Sequence, residues 1–168
     1  MAALDLKCVA VVRHGEYAIN GGKFDLSETG KDQIRTAASM LSNVTGPFSK
    51  ILIITTGEVR TEETGDLIKT AYSTLDIEVI RDSISYNYWD ESPEFIEDFV
   101  SVVESHAGVD CLVVAGHLEF GPIVSAFVSA LFKTDPNANR TLVERNLSHG
   151  EGLIFAPSSD GVWGCSML

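Results

Sequence analysis

The chain has 168 residues, of which 45% are hydrophobic, with 14 glycines and 5 prolines. That profile fits one globular domain over residues 1–168, long enough to bury about two thirds of its unfolded surface. Acidic residues outnumber basic ones by 24 to 12, for a net charge of −12. A general nucleic-acid binder needs a basic face to neutralise phosphates, and an anionic membrane repels an acidic chain, so neither partner class is expected. Scarce positive charge makes any local cluster of arginines informative.

Residues Met1 to Val12 do not read as a signal peptide, because Asp5 interrupts a short apolar stretch. No run approaches the ~18 apolar residues of a membrane span. Cys8, Cys111 and Cys165 form neither a ligand cluster nor a disulfide framework. Cys8 and Cys111 lie in apolar runs and are expected as buried thiols, which fits a reducing, cytoplasmic setting.

Along the chain, strand-like and helix-like patterns alternate. Leu6 to Val12 is a Val-rich apolar run that ends in Arg13-His14-Gly15 and reads as a buried strand. Ser27 is positioned to cap a helix from Glu28 to about Asn43, with Ile34, Ala37, Ala38 and Leu41 on one face. Ile51 to Thr55 is a second buried strand, Glu58 to Tyr72 a helix, and Asp76 to Ile80 a short third strand. Arg81 to Glu91 is irregular and aromatic, and its Tyr86, Tyr88 and Trp89 are expected to cover the core. Ser92-Pro93 opens a helix to about Ser105, with Pro at its first position. His106 stands at its end, where a cation is favoured. Cys111 to Ala115 is a fourth buried strand, ending in Gly116-His117. Gly121 to Phe132 is an apolar helix expected to be buried over more than one face. Thr134 to Gly150 reads as a polar connection, with His149-Gly150 as a turn and Lys133, Arg140 and Arg145 as a solvated rim. Gly152 to Ala156 is a last strand. This order predicts an α/β fold, a three-layer α/β/α sandwich around a mostly parallel sheet.

In such sheets ligands bind beyond the carboxyl ends of the strands. Three strand ends carry polar signals: Arg13-His14-Gly15, Thr55-Thr56-Gly57 with Arg60 just beyond, and Gly116-His117. Parallel strands would bring two arginines and two histidines to one sheet edge. Two guanidiniums can clamp phosphate oxygens. A neutral imidazole can attack phosphorus, and a second can stabilise the transferring group. No carboxylate–histidine spacing for a metal site is evident, and no cofactor is expected.

Arg13-His14-Gly15-Glu16 resembles the R-H-G-E signature of the histidine phosphatase superfamily, which includes the cofactor-dependent phosphoglycerate mutases. Asn20 matches the family's phosphate-binding Asn. Leu26-Ser27-Glu28-Thr29-Gly30 with Gln33 is similar to its L-[ST]-x-x-G-x-x-Q helix start. Residues 55–68, TTGEVRTEETGDLI, resemble its second arginine segment, and Ala115-Gly116-His117 its second histidine. The ordered match runs from residue 8 to about 132. The resemblance implies that His14 is the nucleophile and that Arg13, Arg60, His117 and Asn20 bind the phosphoryl group. It also implies a phosphohistidine intermediate that water hydrolyses.

Three features depart from the mutase pattern. Tyr17 stands where mutases have Ser or Thr, and is expected as a packing residue. The segment from Asn20 to Leu26 is shorter. The general acid has no well-matched counterpart: Glu91 and Asp90 are the candidates, with Glu16 and Glu119 as weaker ones. Small bacterial phosphohistidine phosphatases resemble this chain in length, in compact connections and in lacking a clear acid. The expected substrate is therefore a phosphorylated molecule, either a phosphohistidine protein or a small phosphomonoester. The alternative is a non-catalytic phosphate- or phosphoprotein-binding module. Attack by a neutral His14 beside a cationic His117 predicts a bell-shaped pH–rate profile.

Overall fold

A computed structural model describes residues 5–44, 48–85, 93–132, 142 and 144–168. A six-stranded sheet is built from β1 (Cys8–Arg13), β4 (Lys50–Thr55), β5 (Glu78–Ser83), β6 (Cys111–Gly116), β7 (Gly152–Pro157) and β8 (Trp163–Met167). The strand order is β5-β4-β6-β1-β7-β8. β5, β4, β6 and β1 are parallel, whereas β7 runs antiparallel to β1, and β8 antiparallel to β7. A separate two-stranded hairpin, β2 (Tyr17–Asn20) and β3 (Lys23–Leu26), stands outside this sheet. Among the described residues the helices are α1 (Glu28–Val44), α2 (Val59–Tyr72), α3 (Pro93–Ser105) and α4 (Phe120–Leu131).

Alternation along the strands divides the core in two. Val9, Val11, Leu52, Ile54, Leu112 and Val114 point to one face, against Phe99 and Val103 of α3 and Val124, Phe127 and Val128 of α4. Ala10, Val12, Ile51, Ile53 and Val113 point to the other, against Ile34, Ala38 and Leu41 of α1 and Ile68 and Tyr72 of α2. Burial on both faces is why the central strands read as continuous apolar runs. The fold is thus the expected three-layer α/β/α sandwich. Cys8 and Cys111 sit side by side in register on β1 and β6, buried and unpaired, with the Cys111 thiol pushed far up by its hydrogen bond to Cys8 and by burial.

Several boundaries and one orientation differ from expectation. The third strand begins at Glu78 rather than Asp76 and continues to Ser83, because pairing with β4 extends as far as Thr55↔Ser83. α4 buries one face, Phe120, Gly121, Val124, Phe127 and Val128, while Pro122, Ala126, Ser129 and Ala130 are exposed. It is a one-faced helix, not one buried over more than one face. The tail, left open by the pattern, forms the edge strand β8. Tyr86, Tyr88, Trp89, Lys133 and Arg140 lie outside the described residues. Arg145 is not a free rim charge but pairs with both carboxylate oxygens of Glu151, at 2.9 and 3.1 Å. Among the described residues no helix is long and apolar enough to cross a membrane.

Candidate active site

Register places the two histidines together. Arg13 and Gly116 end β1 and β6 opposite each other, and the ladder continues as His14 N–H donates to Gly116 O at 2.9 Å. His14 and His117 are the next residues out, with ring centroids 5.4 Å apart. Arg60 arrives from the next strand along, in the first turn of α2 just after β4. All three are buried: His14 is 4% exposed, His117 1% and Arg60 8%.

Hydrogen bonds fix the state of His14. Its Nδ1 lies 2.8 Å from Gly15 O, and a carbonyl only accepts, so Nδ1 carries the proton. Nε2 then holds a lone pair, which receives Arg60 Nε–H at 3.2 Å. Burial, with help from the Arg60, Arg13 and His149 charges and against the Gly15 bond, lowers the His14 pKa to about 4. The imidazole is therefore neutral at physiological pH, as a nucleophile must be.

A hydroxyl chain orients His117. Thr61 Oγ1 donates to Glu58 O at 2.8 Å, so its 3.0 Å contact with Thr56 Oγ1 must be donated by Thr56. Thr56 Oγ1 has then spent its proton and accepts from His117 Nε2–H at 2.9 Å. Burial, then the His14, Arg60 and Arg13 charges, push the His117 pKa down to about 3. Both imidazoles are thus neutral at physiological pH. The expected cationic His117, and the bell-shaped profile built on it, do not follow from this geometry.

Arg13 is held from behind. Nη1 donates to Leu147 O at 2.6 Å and Nη2 to His149 Nε2 at 3.1 Å, while among the described residues its buried Nε has no hydrogen-bond partner. Arg60 Nη1 pairs with Glu58, the N-cap residue of α2. Glu58 was not singled out by the sequence pattern.

The motif glycines and polar residues brace this edge. A Cβ on Gly15 would stand 2.3 Å from Gly30 O, and one on Gly30 would stand 1.9 Å from Glu16 O. The two backbones touch, which requires glycine at both positions. Ser27 Oγ caps α1 through Gly30 N–H at 3.0 Å, and Gln33 Oε1 accepts Glu16 N–H at 2.9 Å. Residues 26–33 therefore serve to hold the loop that carries His14.

Two rings reach the site that the sequence assigned elsewhere. His149 does lie in a turn, but its ring is 5.4 Å from that of His14. The turn is stitched to the nucleophile's strand by Gly150 N–H, shared between Arg13 O and His14 O at 3.2 and 3.3 Å. Burial, then Arg13, lowers the His149 pKa, with Glu16 opposing. Tyr17 is no packing residue: it meets His14 edge to face at 5.5 Å, and the Arg60 guanidinium stands 5.2 Å from its ring centroid. The missed signal was Asn20-Gly21-Gly22 between alternating apolar residues, a hairpin signature. Gly21 and Gly22 have φ of 56° and 83°, as such a tight turn requires.

Other candidates stand apart. Asn20 ends β2 at the exposed hairpin tip, paired with Lys23, and among the described residues no hydrogen bond or ring contact joins it to the four central side chains. Asp90 and Glu91 lie outside the described residues. Glu16 is exposed, with Oε1 accepting from Ser27 Oγ at 3.2 Å. Glu119 is the N-cap residue of α4. His106 pairs at 2.8 Å with Asp82, near the end of the edge strand β5.

No protein-family model matches the chain, and no curated protein matches its sequence. Solved structures do match. SixA of Agrobacterium tumefaciens superposes with a TM-score of 0.62 at 14% identity, covering 97% of each chain. The chain has the histidine phosphatase fold. The protein histidine phosphatase SixA in complex with tungstate gives a TM-score of 0.60 at 14% identity over 96% of each chain. The mycobacterial glucosyl-3-phosphoglycerate phosphatase Rv2419c gives 0.52 at 15% identity over 96% of this chain and 97% of its own. In this histidine phosphatase fold, the paired strand ends β1 and β6 carry the two histidines.

Proposed function

We propose that the chain is a phosphatase that acts through a phosphohistidine on His14, with the charge of the phosphoryl group met by Arg13 and Arg60. The observation that carries this is the state of His14: buried, neutral, with its Nε2 lone pair held at 3.2 Å from the Arg60 guanidinium. That is a nucleophile and an anion clamp at one point.

In the first step the Nε2 lone pair attacks phosphorus. The bond from phosphorus to the leaving oxygen or nitrogen breaks, and its electron pair goes to the leaving atom. Arg60 and Arg13 neutralise the non-bridging oxygens, and His117, held by Thr56, lies beside the transferring group. Water then attacks phosphorus, the P–N bond breaks and its pair returns to Nε2; one water proton stays on the released phosphate and the other passes to solvent, which replaces the proton taken up by the leaving group. No step is routed through a metal, and no cofactor is invoked.

For the substrate we favour a protein phosphohistidine over a small phosphomonoester. A protonated phosphoramidate leaves readily, whereas an alkoxide needs a strong proton donor. Glu16 is tied to Ser27, and Glu58 to Arg60. The SixA likeness supports the first substrate class and the Rv2419c likeness the second. Cys8, Cys111 and Cys165 stand outside any disulfide, which supports a reducing cytoplasmic setting.

The test compares wild type with His14→Ala on a generic phosphomonoester and on a phosphohistidine-bearing protein, without added metal. Release by wild type and none by the variant supports the nucleophile, and the faster substrate fixes the class. Equal release by both proteins, or full inhibition by EDTA, would sink the mechanism. Tight phosphate binding without turnover on either substrate would instead identify a binding module.

A further inference from the structure

We infer that the β2–β3 hairpin forms a subsite for a planar aromatic leaving group, with Tyr17 and Phe24 as its specificity-determining residues. This deepens the phosphatase proposal and rests on it. The rings run outward from the nucleophile in steps: His14 to Tyr17 at 5.5 Å, then Tyr17 to Phe24 at 5.7 Å. Exposure rises along the same path, from 4% at His14 to 39% at Tyr17, 41% at Phe24 and 67% at Ile19. The Arg60 guanidinium stands 5.2 Å from the Tyr17 centroid and 5.5 Å from that of Phe24. A planar group bonded to a phosphorus held by Arg60 would therefore have these rings within reach.

Among the described residues, the inner neighbours of His14 are enclosed. His117 is fully buried, and Gly15 is pressed against Gly30. His149 continues the ring surface, edge to face with Tyr17 at 6.0 Å. Tyr17, Ile19 and Phe24 share one hairpin face, since Ile19 pairs with Phe24 and Tyr17 lies two residues from Ile19. A flat apolar group beside a cationic clamp suits a ring attached to phosphate. The chemistry agrees, because a phenol or imidazole departs with far less help from an acid than an aliphatic alcohol does. In the reaction the P–O or P–N bond to the ring breaks, and the electron pair goes to the ring's oxygen or nitrogen.

Phenyl phosphate and propyl phosphate serve as probes for wild type, Tyr17→Ala, Phe24→Ala, the double variant and Tyr17→Phe. The aryl-to-alkyl ratio of kcat/KM is expected to fall about threefold to tenfold in each alanine variant, on the scale of one lost ring contact. Tyr17→Phe should keep the wild-type ratio. An unchanged ratio in the double variant would overturn the subsite, even if both rates drop together. Failure of the phosphatase proposal is separable: the same proteins are titrated with phenylphosphonate and propylphosphonate, which need no turnover. Preference of wild type for the phenyl compound, lost in Phe24→Ala, supports the subsite without catalysis. Equal affinity of wild type for the two would refute it.

Discussion

Two regions meet at His14 and are built by different rules. The carboxyl edge of β1 and β6 is a rigid floor, in which strand register, backbone hydrogen bonds and burial on both sides fix each side chain. The β2–β3 hairpin is a partly exposed wall, outside the main sheet and turned by two glycines. The floor holds groups whose ionisation must be controlled, and burial does that by keeping both imidazoles neutral. The wall holds rings whose role is contact, for which exposure is needed. On the proposed function, chemistry and selectivity sit on separate parts of the fold, and substitutions should separate them.

The largest effects belong to the floor. His14→Ala should lower kcat at least a thousandfold, as expected when a covalent nucleophile is removed. Arg60→Ala should lower kcat/KM about a hundredfold to a thousandfold, the range for loss of one group that stabilises transition-state charge. Steady-state kinetics on one substrate measures both. If Arg60→Ala instead changed only the aryl-to-alkyl ratio, floor and wall would not be separable.

Gly30→Ala tests the brace beneath the floor. Its Cβ would stand 1.9 Å from Glu16 O, so backbone must move. A stability loss of about 1–3 kcal/mol by urea unfolding is expected, together with lower activity. A neutral effect would mean that the His14 loop is not held by α1.

The pH dependence of stability reports the same floor. Folded His14 and His117 resist protonation until about pH 4 and pH 3, while the unfolded chain takes these protons near 6.5. The unfolded state binds more protons in between, so stability is full above about pH 6.5 and falls as the pH drops toward 4. His117→Gln should flatten that decline. An equally steep decline in the variant would show that His117 is not held neutral by the fold.

The smallest effect is expected at Glu58, whose carboxylate pairs with Nη1 of Arg60, a donor proposed for the phosphoryl oxygens. Glu58→Gln removes a competing anion. It should tighten inorganic phosphate binding by a few-fold in calorimetry, the scale of a partly exposed ion pair. Weaker binding would mean that Glu58 positions Arg60 rather than competing for it.

The floor was legible in the sequence, and the wall was not. Buried parallel strands announce themselves as apolar runs, and their ends carry Arg13-His14, Thr55-Thr56 and Gly116-His117 in plain view. His149 was hidden because its place depends on pairing. β7 runs antiparallel to β1, so the turn that enters β7 lands on the carboxyl end of β1. No local pattern states that pairing. Tyr17 was hidden because the four-residue strands around Asn20-Gly21-Gly22 are too short for a strong alternation, although the turn itself was readable. Asn20 matched by spacing from His14, yet the turn carries it to the hairpin tip. The neutral state of His117 depends on its burial and on its nearness to His14, Arg60 and Arg13, none of which spacing reveals.

The central claim is that His14 carries the phosphoryl group. Wild type and His14→Ala are mixed with a 32P-labelled phosphomonoester, quenched in alkali within milliseconds to seconds, and separated from substrate. The account predicts alkali-stable, acid-labile label on wild type, mapping to His14 and absent from the variant. Phosphate release by wild type with no label at any time, or label on another residue, would contradict it.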